Sequence, residues 1–463
     1  MTHAEVRGPV VDWRQEAGPR TGPHRRGAVR RGRPGDERGD VDEQAETARN
    51  GGALAGIRVA DFSRVLAGPH ATMILADLGA DVIKIESPEG DGTRQWRPPV
   101  NAVGQSTYFA GVNRGKRSVV CDLRDPEGLA RARELARTAD VVIENFKPGT
   151  MEKFGLGYDA VAAENPGVVY CSISGFGDSA GRDLPGYDLL VQAVGGLMSI
   201  TGQSDADGGE PTKVGVALVD ILTGLNAVIG IQAALMARGS GSGAGAGAGG
   251  DGGGDGGDGA GGTGGTGGRG QHVKVTLLGS LLSALANQAS STLETGASPG
   301  RMGNAHPSIA PYETFAAADQ PIALAVGTDG QFARLCEVLD VAELASDERF
   351  ATNPQRVAHR VELRAALEQR LRSRSAAEWI DALTAANIPA GRVNTIGQAI
   401  ELATSLGLDP VAETRAVASD GAHRTLRSIA TPISLSATPA AYRVPPPGIG
   451  EHQDAEWLPR PAD

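Results

Sequence analysis

From residue 56 onward the chain alternates short apolar runs with amphipathic stretches, in the order expected of strands and helices. Residues 57–62 predict a strand, 69–78 a helix opening on a proline, and 80–85 a second strand, which together make a βαβ unit. A helix over 126–138 and strands over 140–143 and 168–172 continue the alternation, so a parallel sheet covered by helices is expected. Residues 273–276 predict a short strand and 277–286 an apolar helix. Between 300 and 376, strand signals such as 322–326 mix with helices rich in Arg, Glu and Leu, including 360–372, which suggests a smaller α+β domain. An αβ pattern returns through 388–393. The expected organisation is therefore 53–238 as the first part of a large α/β domain, 271–299 as a linker helix, 300–376 as the small domain, and 377–463 as the completion of the large one.

Two segments break the pattern. Residues 1–52 carry ten arginines, many Gly and Pro, and almost no apolar periodicity, so they bury too little surface to offset their ordering entropy and read as a disordered extension. Residues 239–270 contain 20 glycines in 32 positions, the composition of a flexible inserted loop. A phosphate cradle needs a fixed strand-to-helix turn, which so long and degenerate a tract does not supply.

Composition narrows the function. Over 463 residues the chain holds 44 Lys and Arg against 55 Asp and Glu, a formal charge of −11, which argues against a general nucleic-acid binder and requires a local positive patch for any anionic ligand. Cys121, Cys171 and Cys336 stand far apart with no CxxC pair, so neither a disulfide framework nor a cysteine zinc site is expected. Eight histidines are scattered without metal-ligand spacing. No run of about 20 apolar residues and no secretory leader is evident, and the expected compartment is the cytoplasm.

Several motifs carry candidate chemistry. The loop SRVLAGP (63–69) joins the first strand to a helix, where backbone N–H groups favour an anion, although an ordinary βα connection fits as well. The glycines at 175, 177 and 181 have the wrong spacing for a dinucleotide fingerprint and read as a turn. Asp188, after Tyr187, and Asp220, at the end of the apolar run 214–219, are both candidates for a working carboxylate. Asp220 precedes a helix that stays apolar through Leu235, so its charge either caps that helix or reacts. His306 lies in a polar loop, as a turn residue or part of a lid.

The segments GIRVADFS (56–63), AGP (67–69), LGADVIKIE (78–86), NRGKRS (113–118), DLRDPEG (122–128), ENFKPG (144–149), SGFG (174–177), GN and HP (303–304, 306–307) and GEH (450–452), in this order, resemble the family III CoA-transferases. That group includes formyl-CoA transferase, carnitine CoA-transferase and the alpha-methylacyl-CoA racemases. The resemblance spans about 400 residues. It implies a Rossmann-like large domain built from both chain ends, a smaller central domain, and ring-shaped subunits that interlock as a homodimer. It implies Asp220 as the nucleophile that carries CoA between carboxylic acids through mixed anhydrides and an aspartyl-CoA thioester, with succinyl-CoA as one example of a donor. CoA is the substrate, and no other cofactor and no metal is implied. The positions matching the family's CoA-binding segments are Val65, Leu66, Asp122, Leu123, Arg124, Asn145, Phe146, Lys153 and Tyr187. Arg124 and Lys153 suit the phosphates, with Arg64 adjacent.

Two positions depart from the family. The racemases carry a histidine where Tyr187 stands, and tyrosine is a poor base near neutrality, which disfavours the alternative of an acyl-CoA racemase or epimerase. Formyl-CoA transferase has a glutamine where Leu66 stands and a flexible glycine loop over its aspartate. Neither is matched here, so oxalate or formate is not expected as substrate, and 302–307 is a candidate for a substitute lid. A non-catalytic CoA-binding interaction protein is a third reading, which the presence of Asp220 opposes.

Overall fold

The computed structural model describes residues 51–239 and 268–461; apart from their margins, the Arg-rich extension and the glycine tract lie outside the described residues. The main element is a six-stranded parallel sheet with strands β1 (Arg58–Asp61), β2 (Asp81–Glu86), β3 (Lys116–Val120), β4 (Val141–Glu144), β5 (Val169–Ser174) and β6 (His272–Thr276). Their spatial order is β3-β2-β1-β4-β5-β6, the doubly wound arrangement. The order reverses between β1 and β4, which leaves a crevice there at the carboxyl ends of the strands. Both faces are covered by helices. Accordingly Val59, Ala60, Val82, Ile83, Val141, Val142 and Ile143 are buried on both sides rather than on alternate ones.

Two helices set the nucleophile side. Helix α1 (Ala67–Asp77) follows the β1 loop, and α4 (Leu218–Gly239) packs along it. Their close approach depends on Gly224, because a Cβ there would stand 2.7 Å from the Ala67 carbonyl oxygen and 3.1 Å from His70 Nδ1. At 22 residues α4 is long and apolar enough by composition to cross a bilayer, contrary to the expectation that no run of about 20 apolar residues is present. Its face formed by Val219, Thr223, Ala227, Ile231 and Ala234 is instead buried against the sheet and α1. Helix α2 (Pro126–Thr138) covers the opposite face; Asp125 caps it, accepting from the N–H groups of Glu127 and Gly128. A short helix, α3 (Asp188–Val194), contacts the first turns of α4.

A second core surrounds an antiparallel sheet of β7 (Tyr312–Ala316), β8 (Pro321–Ala325) and β9 (Ala390–Arg392). Helices α5 (Asp329–Val338), α6 (Arg360–Leu371) and α7 (Ala376–Ala385) supply Phe332, Leu367 and Trp379 to it. This corrects two expected boundaries. The small core runs past 376, because Ala376, Trp379, Leu383 and Ile388 pack inside it, and residues 272–276 complete the large sheet rather than serve as a linker. Strands β10 (Val411–Val417) and β11 (His423–Ile429) form a separate ribbon. The chain then returns to the large sheet, where the His452 N–H donates to the Ser118 carbonyl (2.9 Å) and Gln453 bonds both backbone groups of Val120. Both ends of the described chain thus contribute to the large α/β layer.

Candidate active site

The loop after β1 is held from below by buried charge. Asp61 accepts from the Ser63 N–H and hydroxyl, from the Thr72 hydroxyl (2.7 Å) and from Lys116 Nζ (3.1 Å). Burial alone would favour its neutral form, but Lys116, Lys84 and the two hydroxyls outweigh it and hold the carboxyl below its usual range. Burial pulls the Lys116 ammonium down to about 8, only partly offset by Asp61. Lys84, fully buried, donates to the Ser63 carbonyl (2.8 Å) and to Asp91 (3.1 Å). Asp91 also takes the Val65 N–H at 3.2 and 3.3 Å. Buried ion pairs are poor evidence of net stability, since desolvation offsets their attraction. What these do is fix residues 63–65, including Val65 at φ +67°, a left-handed conformation that costs a β-branched residue on the order of 1–3 kcal/mol.

A cleft of about 360 Å³ opens over this loop, at the carboxyl ends of β1 to β4. Asp122, Leu123, Arg124 and Phe146 line it, together with Arg64, Phe62 and Phe154. Phe146 lies under the Arg64 guanidinium at 4.4 Å, an arrangement that keeps the cation over the cleft. Arg124 pairs with Asp122 at 2.9 Å and has Glu89 at 3.9 Å, so an incoming phosphate competes with two carboxylates for it. Asn145 is not in the lining. Its amide instead clamps the backbone of Arg64, accepting from the N–H (2.8 Å) and donating to the carbonyl (2.7 Å). Lys153, itself exposed, ends a short helix, and only its neighbour Phe154 reaches the cleft.

The nucleophile candidate lies on the other side of the loop. Asp220 is in the first turn of α4, and the capping suggested for it falls to Asp188, whose Oδ1 accepts from the N–H groups of Val219 (2.8 Å) and Asp220 (3.3 Å). Gln192 holds Asp188 in turn (2.6 Å) and accepts from the Val214 N–H (2.9 Å). Burial, and then the Asp188 carboxylate, raise the Asp220 carboxyl to about 7. Its neighbours Ala217 and Ile221 share a small apolar cluster with Val65, Leu66, Met73, Tyr108 and Val112. Tyr108 senses the same carboxylates: burial, Asp220, Asp188 and Asp91 all hold its phenol above the ordinary range. Tyr187 precedes α3 and is 70% exposed, outside the cleft lining.

The structure therefore gathers Asp122, Leu123, Arg124 and Phe146 at one cleft, sets Val65 and Leu66 beside the residues flanking Asp220, and gives Asn145 a supporting contact. Asp61, Lys84, Asp91, Lys116 and Tyr108 were not singled out from sequence. A signal was present for two of them: Asp61 and Lys84 each put a charge inside or at the end of an apolar run destined for the sheet interior, where a charge needs a partner.

The sequence profile of the family described as CoA-transferase family III matches residues 54–248 and 264–453. A succinate–glutarate CoA-transferase of Agrobacterium fabrum is 43% identical over 415 residues, covering 86% of this chain and 94% of that protein. A mouse succinyl-CoA:glutarate CoA-transferase is 36% identical, covering 86% and 84%. Among solved structures, a CAIB/BAIF family protein from Brucella suis superposes with a TM-score of 0.72 at 40% identity, covering 87% of this chain and 98% of its own. Similarity at this level along nearly the whole described chain places it: this protein belongs to CoA-transferase family III.

Proposed function

We propose that the protein moves CoA from an acyl-CoA, succinyl-CoA being the first to test, to a short dicarboxylic acid, with Asp220 as the carboxylate that carries it. The relatives named for glutarate, mesaconate and oxalate transfer support the substrate class. The observation that carries the reading is Asp220 itself: a carboxylate in the first turn of a helix, raised to about 7 by burial and by Asp188. Raised basicity makes a carboxylate a better nucleophile, and at neutral pH about half of it is ionised.

The Asp220 carboxylate attacks the thioester carbonyl, forming a mixed anhydride and releasing CoA thiolate. The thiolate attacks the Asp220 carbonyl, giving an aspartyl-CoA thioester and the donor acid. The acceptor carboxylate then attacks that thioester, and the released thiolate takes the acceptor acyl group, restoring Asp220. Arg64 and Arg124 serve the CoA phosphates, Phe146 and Leu123 give the nucleotide apolar walls, and the chemistry calls for no cofactor beyond CoA.

Two copies are expected to interlock as a homodimer. Leu189 and Val194 on α3 and Leu225 and Ile229 on α4 are exposed apolar side chains that a second copy would cover. Light scattering on the eluting protein tests this, and a monomer refutes it. The free, buried Cys121, Cys171 and Cys336 fit the cytoplasm. The transfer itself is tested by incubating the protein with succinyl-CoA and a panel of carboxylic acids and following new CoA esters by mass spectrometry. Turnover that survives Asp220→Ala sinks the assignment.

A further inference from the structure

The β1 loop poses a physical problem. Val65 stands at φ +67°, a conformation that favours glycine and penalises a β-branched side chain. Such a residue persists only where its surroundings over-determine it, and such sites cluster where geometry serves function. Nothing within the loop itself supplies that constraint. The supply comes from two side chains on the Arg64–Val65 peptide: Asn145 holds the Arg64 carbonyl (2.7 Å), and Asp91, which is 1% exposed, turns both carboxylate oxygens to the Val65 N–H, at 3.3 and 3.2 Å.

Asp91 is itself fixed from four directions. The Thr93 N–H (3.0 Å) and hydroxyl (2.8 Å) donate to one oxygen, and Lys84 Nζ (3.1 Å) to the other. Its own N–H donates to Glu86 (2.9 Å), which Arg94 and Ser118 hold in place. Lys84 closes the circuit by donating to the Ser63 carbonyl (2.8 Å), two residues before Val65. The turn is thus gripped at both ends by one buried assembly. On its far side, the left-handed step at Val65 leads into Leu66, which is buried against Tyr108, Ala217 and Ile221, the last two flanking Asp220.

We infer that Asp91 is a positioning residue for CoA transfer, acting through Val65: by holding that backbone in the left-handed conformation it sets Leu66 and the start of α1 against the turn that bears Asp220. The inference rests on the reading of Asp220 as nucleophile. Asp91 also borders the floor of the cleft, but at 1% exposure it is assigned no contact with substrate, and the roles to be separated are neutralising Lys84 and shaping the loop.

A double-mutant cycle between positions 91 and 65 distinguishes these roles, because glycine adopts positive φ without help. With succinyl-CoA and glutarate as the pair, Asp91→Ala is expected to lower kcat/KM by about 10-fold or more in the wild-type background but by less than about 3-fold beside Val65→Gly. Asp91→Asn, which keeps an oxygen for the Val65 N–H, is expected to retain most of the activity. Equal losses from Asp91→Ala in both backgrounds overturn the inference, as does recovery on adding Lys84→Met rather than Val65→Gly, which would mark a charge-neutralising role. If Asp91→Ala does not fold, Asp91→Ser takes its place in the cycle with the same two outcomes. A wild-type protein that turns over neither this pair nor any other of the panel refutes the underlying reading instead, so the two failures are distinct.

Discussion

Replacing Asp220 with asparagine should abolish transfer and at the same time stabilise the fold, increasingly so as the pH rises. The folded-state carboxyl is raised from an ordinary value near 3.8 to about 7, first by burial and then by Asp188. The sign follows from proton binding: between those two values the folded protein holds a proton that the unfolded chain has released, so stability is lost as pH rises through that window. Each tenfold change in proton affinity is about 1.36 kcal/mol, so the full displacement is worth up to about 4 kcal/mol above pH 7. Solvent reaching the half-buried side chain reduces that to about 2 kcal/mol. Asparagine keeps the size and polarity of the side chain and removes the charge. Denaturant unfolding of both proteins at pH 5.5 and pH 8 is the assay, with the variant the more stable and its advantage larger at pH 8 by about 1 kcal/mol. An advantage that does not change with pH, or a less stable variant at pH 8, would refute the claim that a costly buried carboxylate is kept there for its chemistry.

Further consequences concern the surroundings of that residue. Asp188→Ala removes the acceptor for the Val219 and Asp220 N–H groups and should cost about 1–2 kcal/mol of stability by thermal or denaturant unfolding. Asp188→Asn keeps an acceptor oxygen, and in both variants the acid limb of kcat/KM against pH should move to lower pH because a neighbouring negative charge is gone. Arg124→Ala should raise KM for the acyl-CoA by roughly 3- to 10-fold with little change in kcat and flatten its salt dependence, as measured by initial rates. Gly224→Ala places a Cβ 2.7 Å from the Ala67 carbonyl oxygen, so it should wedge α4 from α1 and cost about 1–3 kcal/mol, read from the melting temperature.

Much of the sheet was legible in the sequence because five of its strands are apolar runs and their helices have clear periodicity; the helix over 126–138 was read to the residue. Strand β3 was not, because it begins Lys-Arg-Ser, and only the structure shows that Lys116 is buried on Asp61 while Arg117 reaches Asp81. The apolar run 214–219 joins the start of α4, and Asp188 and Gln192, about 30 and 20 residues earlier, accept its N–H groups. Such long-range caps leave no local pattern. For the same reason the resemblance named Val65 and Asn145 but left their work unseen: one is strained and pinned by Asp91, the other is a clamp on Arg64. The small-core boundary was missed because 376–392 has the same αβ alternation as the large sheet, and only packing of Trp379 and Ile388 assigns it.

The central claim is that CoA becomes covalently attached to Asp220 during turnover. Acid quenching of the protein shortly after mixing with succinyl-CoA, followed by proteolysis and mass spectrometry, measures this directly. CoA is expected on the peptide containing Asp220, discharged when a dicarboxylic acceptor is added before the quench and absent in Asp220→Asn. Attachment at another residue, or rapid transfer to the acceptor in Asp220→Asn, would contradict the account.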